Sequence, residues 1–339
     1  MGTKLSSIIP SKVISIEDLR GKKLVVDAFN MLYQFLTTIR QRDGSLLINS
    51  SGKVTSHLSG LFFRISKLMK QDIRLAFVFD GKPPELKKQE RHRRAEIKKS
   101  AERKYQEAVD EGDIELMKKY ASRTTRLTAE LIEEAKELIK AFGLPIIDAP
   151  SEGEAQAAYM VKNHDFYGLI SQDTDSIIFG SPRMIKNLSI SRKKKLKDKS
   201  VYQTINPELI ELSDVLNENG VDLDQLIMVS ILSGTDFNIG GVHGIGPKKG
   251  LKLVKKHGKD FDALFKELDW EFDFSWKEVY NLIRKMPYTE DYELKWEPID
   301  KKKIFDIMVN KNEFGKERIE KAIQDLVKKQ SQKGLSEFF

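Results

Sequence analysis

Three segments, Lys23-Leu24-Val25-Val26-Asp27, Arg74-Leu75-Ala76-Phe77-Val78-Phe79-Asp80 and Tyr167-Gly168-Leu169-Ile170-Ser171-Gln172-Asp173, share one pattern: a short apolar, β-branched run that closes on an acid. Near-continuous apolar strands of this length suit a parallel sheet covered on both faces. Helical patterns lie between them, at 58–69 and at 129–142, the latter stopped by Gly143 with Pro145 beyond. Strands alternating with helices predict an α/β fold with a mostly parallel central sheet and helices on both faces. In such a sheet ligands bind in the crevice outside the carboxyl ends of the strands. All three acids would stand there.

Residues 85–126 break the rhythm. Between 85 and 105 the bases are Lys87, Lys88, Arg91, Arg93, Arg94, Lys98, Lys99, Arg103 and Lys104, against the acids Glu85, Glu90, Glu96 and Glu102. The stretch lacks Gly and Pro and can be helical, but it has no apolar face to dock. Two readings stay open: a solvated helix with i,i+4 pairs such as Glu90–Arg94, or a basic helix standing over the crevice. Further on, a helix over 224–233 leads into Gly234-Thr235-Asp236, a glycine-rich run at 240–250 and a helix at 251–257. From there to about 329 we expect a helical region carrying all three Trp, followed by a polar tail at 330–339. The basic run 192–199 reads as a hairpin tip or solvated loop.

The chain has 339 residues, 40% hydrophobic, with 58 Lys and Arg against 51 Asp and Glu, a net charge of +7. That length and composition exclude global disorder. No apolar run approaches the ~18–20 residues that span a bilayer. With no Cys, disulfides, zinc–thiolate sites and cysteine nucleophiles are excluded together. The positive charge points weakly to an anionic partner.

The placement of the acids is more informative. Ser151-Glu152-Gly153-Glu154 reads as an N-cap followed by two Glu in a first helical turn, where acids also suit the helix dipole. Asp173 and Asp175 flank Thr174 just past a strand, so alternation would put both on one side. Asp236 sits at a helix end. If the sheet forms, seven carboxylates converge: Asp27, Asp80, Glu152, Glu154, Asp173, Asp175 and Asp236. Like charges ~4 Å apart repel by several kcal/mol at intermediate dielectric, so these acids need cations to remain ionised. Mg²⁺ or Mn²⁺ suits an all-oxygen set, and ions ~3.5–4 Å apart are a recurrent device for phosphodiester cleavage. No EF-hand loop is present, and an aspartic protease needs two carboxylates, not seven. A magnesium phosphatase with an Asp-x-Asp nucleophile stays chemically open but leaves 85–105 unexplained.

Val26-Asp27-Ala28, Phe79-Asp80-Gly81-Lys82-Pro83-Pro84, Glu152-Gly153-Glu154-Ala155-Gln156-Ala157, Ser171-Gln172-Asp173-Thr174-Asp175, Gly234-Thr235-Asp236 and Gly244-Ile245-Gly246-Pro247-Lys248 occur in this order. Together they resemble the flap endonucleases, structure-specific 5′ nucleases of DNA replication and repair, over nearly the whole chain. The resemblance implies two metal sets, Asp27, Asp80, Glu152 and Glu154 in the first and Asp173, Asp175 and Asp236 in the second, binding two Mg²⁺ for which Mn²⁺ can substitute. It makes 85–126 part of a helical arch through which a 5′ flap passes, with Lys87 and Arg94 reaching the scissile phosphate. Tyr33 resembles an aromatic on which a base stacks; Arg40 and Thr55 resemble residues that hold a 3′ flap, and His57 reads as structural. Residues 240–250 resemble the hairpin of a helix–two-turn–helix motif. There Gly244 and Gly246 let the backbone approach phosphate, with K⁺ an expected companion, and Lys248 and Lys249 touch duplex backbone. Gln332, Leu335, Phe338 and Phe339 resemble a sliding-clamp-binding peptide.

The implied organisation is 1–105 nuclease region with the start of the arch, 106–225 the rest of the arch and nuclease, 226–260 helix–two-turn–helix, 261–329 helical region and 330–339 flexible tail. The implied partners are branched 5′-flap DNA and a sliding clamp, with no membrane, and the chain is expected to be a monomer. An end at Phe339 without a basic extension, with no Cys, points to an archaeal source and a cytoplasmic, nucleoid-associated location; a eukaryotic source would make it nuclear. The alternatives are a related 5′ exonuclease or repair nuclease, and a non-catalytic clamp-recruited adaptor, which would lack one of the carboxylates.

Overall fold

The computed structural model describes residues 5–188, 193–195 and 202–336. In chain order the strands are β1 (Lys12–Val13), β2 (Lys23–Asp27), β3 (Arg74–Phe79), β4 (Ile146–Asp148), β5 (Gly168–Ile170), β6 (Arg183–Lys186), β7 (Lys193–Lys195), β8 (Tyr202–Thr204) and β9 (Glu208–Glu211). Seven form one sheet in the order β1-β9-β6-β5-β2-β3-β4. The five strands from β6 to β4 are parallel, and β9 and β1 complete one edge antiparallel. The chain runs outward from β2 through β3 to β4, then returns to lay β5 on the other side of β2. A crevice opens at such a switch point, beyond the carboxyl ends of the strands.

Alternation along the strands explains the layers. Leu24, Val26, Leu75, Phe77 and Phe79 join one apolar core with the helices Ala28–Thr38, Ser56–Lys70 and Ala129–Ala141. Val25, Ala76 and Val78 face the opposite way and pack with Ala157, Met160 and Val161 of the helix Gly153–Lys162. The third expected strand is shorter than its apolar run: pairing ends at Ile170 because residues 171–174 turn into the crevice.

Residues 85–121 are mostly helical, and 122–126 are not. A single turn, Glu85–Lys87, leads into the helix Lys88–Asp110, and Asp113 caps the helix Ile114–Ala121 by accepting from Leu116 N at 3.0 Å. The long helix runs through the expected 105/106 division. It buries Glu90, Ala101 and Ala108, so it is not solvated throughout. A second lobe builds its own core around the helices Leu223–Ser233 and Pro247–His257, joined to the sheet through Met184 and Ile210. Part of the basic run 192–199 is strand: β7 pairs antiparallel with β8.

The expected continuous helical region after 260 is interrupted. Helices Phe261–Lys266 and Trp276–Arg284 are followed by residues 286–300 without helix or strand, and only Trp276 of the three Trp lies in a helix. This segment crosses the back of the sheet as a strap. Its polar backbone finds irregular partners: Thr289 exchanges two hydrogen bonds with the Gln156 amide at 2.9 and 2.7 Å, and Glu297 N donates to Gly143 O at 2.9 Å. The last helix, Lys316–Ser336, carries Gln332 and Leu335 in its backbone and so extends into the segment expected to be a tail; Phe338 and Phe339 lie outside the described residues. Among the described residues no helix is long and apolar enough to cross a membrane.

Candidate active site

Each acid reaches the crevice by a different local device. Asp27 ends β2 and caps the helix Ala28–Thr38, its Oδ1 accepting from Asn30 N at 3.0 Å. Asp80 follows β3, and its Oδ1 accepts the N–H of Gly153 at 2.7 Å, so it caps a helix that belongs to a distant segment. A Cβ on Gly153 would stand 2.6 Å from that oxygen; glycine is what permits the approach. The cap residue of that helix is Glu152 rather than Ser151, which instead donates to Lys82 O at 3.0 Å. Glu152 makes no capping bond and is left to pair with Lys87.

Glu154, in the first helical turn, accepts from Ser171 Oγ at 2.9 Å. Asp173 and Asp175 do come together, but not by strand alternation: Asp175 opens the short helix Asp175–Ile178. Glu154, Asp173 and Asp175 each bring a carboxylate oxygen within 4.8 Å of the others, close enough to share one ion. This triad mixes the two expected metal sets. Asp236 is buried and receives Arg94 Nη2 at 2.8 and 2.7 Å, with Lys87 Nζ 3.5 Å away.

The electrostatics confirm the crowding. Burial first, then the charges of Asp80 and Asp173, pushes Asp27 up to about 8, although Asn30 N–H and the Ser171 hydroxyl pull the other way. Asp80, whose residue surface is exposed, is still raised to about 6 by desolvation and then by Glu152. Burial and the neighbouring Asp173, Asp27 and Asp175 hold Glu154 well above the carboxylate range. Buried acids that favour protons in the absence of other cations, offering oxygen donors only, fit hard divalent ions.

The arch supplies the opposite charge. Burial alone would depress Lys87, but Glu152, Asp236 and Asp80 outweigh it and raise its pKa. Arg94 behaves likewise, desolvation being overcome by Asp236 and Glu90. Lys87 and Arg94 therefore meet over Asp236. Tyr33 is half-buried beneath the arch; Lys98 Nζ donates to its hydroxyl at 3.2 Å and lies 5.2 Å from its ring centre.

Other expected binding residues lie away from the crevice. Arg40 donates to Gly44 O at 2.8 Å and to Thr125 Oγ1 at 2.5 Å, tying the loop after the first helix to the base of the arch. Thr55 is buried at the start of the helix Ser56–Lys70, and fully buried His57 sets Nε2 3.1 Å from Glu134. In the second lobe Gly244, Gly246, Lys248 and Lys249 are exposed, the glycines just before the helix Pro247–His257 and the lysines in its first turn. Gly244 has φ +69°, and nothing lies within 4 Å of where its Cβ would be, so its backbone is open to a ligand.

Two residues escaped the sequence reading. Ser171 sits between acids, its Oγ also 3.4 Å from Asp27 Oδ2 and accepting from Asp173 N at 3.1 Å. Its hydroxyl could not be told from an ordinary turn serine. Glu90 was legible only as half of a helical ion pair; that it is buried at the crevice wall depends on how the arch folds back.

Residues 3–101 match the XPG N-terminal domain and residues 143–236 the XPG I-region. The chain is 47% identical to flap endonuclease 1 of Staphylothermus marinus, with 100% of both chains covered. Its structure is similar to that of flap endonuclease-1 from Methanococcus jannaschii, with a TM-score of 0.78 and 38% identity over 98% of this chain and 100% of that one. It also resembles the catalytic core of Rad2 in complex with DNA substrate, with a TM-score of 0.67 and 25% identity over 93% and 96% of the two chains. The chain thus belongs to the flap endonucleases, structure-specific 5′ flap nucleases that hydrolyse DNA phosphodiester bonds.

Proposed function

We propose that the crevice cuts branched DNA beside a 5′ flap, with two Mg²⁺ held by Asp27, Asp80, Glu152, Glu154, Asp173, Asp175 and Asp236. When bound, such ions supply Lewis-acid activation of water and offset charge on the reacting phosphate. The observation that carries the reading is the meeting of Lys87 and Arg94 from the arch with Glu152 and Asp236 from the crevice. A phosphate entering between them gives both cations a further anion to hold, and their donors then meet charge that grows as the bond breaks. Ser171 keeps the Glu154 carboxylate turned toward Asp173. The Tyr33 ring, carried under the arch, offers a face for the base beside the cut.

Away from the cut, Lys248 and Lys249 beside the open backbone of Gly244 and Gly246 hold duplex phosphates without reading sequence, with K⁺ as the ion suited to the hairpin carbonyls. Arg40 and Thr55 hold the 3′ side of the junction. Gln332, Leu335, Phe338 and Phe339 form a peptide for a sliding clamp. The enzyme works as a monomer in the compartment that holds the DNA.

Cleavage of a 5′-flap substrate should stop in EDTA and return with Mg²⁺, and Lys87→Ala should slow it by about 100-fold with DNA affinity retained. Cutting that survives EDTA contradicts the metal reading. Truncation before Gln332 should remove stimulation by the clamp and leave basal cutting; stimulation that persists removes the clamp role from the tail.

A further inference from the structure

We propose that Glu90 is a positioning residue for cleavage: it holds the guanidinium of Arg94 at Nε while Nη2 reaches Asp236, and so aims it across the crevice. The inference rests on the reading of Arg94 as a cation that meets the scissile phosphate.

Glu90 is 2% exposed, on a helix whose other charged residues are not buried. A carboxylate at that depth must be paired and hydrogen-bonded. Oε1 accepts from Arg94 Nε at 2.6 Å and from Arg93 Nη2 at 2.7 Å, while Oε2 accepts from Arg93 Nε at 2.6 Å. Arg93 thus binds both oxygens and fixes the carboxylate; the carboxylate in turn fixes Arg94. A guanidinium is a rigid planar fork. With Nε held by Glu90, the Nη2 edge is left to reach Asp236.

Among the described residues these two acids are the ion-pair partners of Arg94. Its side chain is 39% exposed, so without Glu90 it is free to swing toward water. Glu90 and Arg93 line the same cavity of about 620 Å³ as Asp173 and Asp236. Glu90 stands at its wall with both oxygens already engaged by arginine, which sets it apart from the metal-binding acids. A pair of this kind on an exposed helix would serve only to stabilise the helix; burial and the third partner, Asp236, give this one a direction.

The test is single-turnover cleavage of double-flap DNA by Glu90→Ala, Glu90→Gln, Arg94→Ala and the Glu90→Ala/Arg94→Ala double variant, with DNA affinity and melting temperature measured for each. Glu90→Ala should slow cleavage by between about 10- and 100-fold with DNA affinity unchanged, Glu90→Gln less, because it keeps the shape and one acceptor. In the Arg94→Ala background, removing Glu90 should cost nothing further. Full additivity in the double variant, a wild-type rate in Glu90→Ala, or a melting temperature that falls in step with the rate in both Glu90 variants would overturn the proposal. Wild-type cleavage by Arg94→Ala would instead remove the reading of Arg94 itself, and this proposal with it.

Discussion

Gly153 and Asp27 show how much the crevice depends on single atoms. The Gly153 N–H holds Asp80 in place, and the absence of a side chain lets that oxygen come close. Gly153→Ala should therefore push Asp80 aside, cost about 1–3 kcal/mol of stability from overpacking, and weaken Mn²⁺ binding; urea unfolding and a metal titration measure the two effects. Asp27 makes a prediction in pH. Its folded pKa of about 8 lies above its ordinary value of 3.8, as does that of Asp80 at about 6. Between these limits the folded chain holds protons that the unfolded chain has released, so stability is present in full below about pH 4 for these groups and is lost as pH rises toward 8. In EDTA the melting temperature should fall between pH 5 and 8, and Asp27→Asn should flatten much of that slope. At this scale the seven acids stood out in the sequence because each sits at a junction: the end of an apolar run, the start of a helix or, for Asp236, just past a helix end. Ser171 and Glu90 were not, since their partners come from elements far apart in sequence.

The elements that the sequence specified best are those with a period. β2 and β3 follow from buried, near-continuous apolar runs, and the helix Ala129–Ala141 from its apolar stripe and the Gly143 stop. The strap at 286–300 has no period, since its hydrogen bonds go to the Gln156 side chain and to loop carbonyls instead of a ladder. Only the folded sheet reveals where it lies. It is nonetheless structural: the Trp296 indole packs against both sheet-face cores and donates to Leu75 O at 2.8 Å. Trp296→Ala should cost about 3 kcal/mol, read as a lower urea midpoint with an unchanged slope. The arch is the converse case: its charge was plain in the sequence, and its burial at Glu90 was not.

Across the whole molecule the net charge of +7 conceals a partition. Acids collect at the switch point of the sheet, bases on the arch that crosses it and, exposed, at Lys248 and Lys249 in the first turn of the helix Pro247–His257. The sheet fixes the acids in place, while the arch and the second lobe hold cations which, under the proposed function, meet the DNA backbone. Recognition is therefore of the shape of a junction, with chemistry confined to one crevice. The most direct test offers a labelled double-flap DNA and a single strand of the same sequence to the wild-type chain and to Asp175→Ala, in Mg²⁺. The wild type should cut the double flap near the junction and leave the single strand largely intact, and Asp175→Ala should still bind the double flap but cut it slower by at least about 100-fold. Equal cutting of both substrates, or undiminished cutting by Asp175→Ala, would contradict this reading.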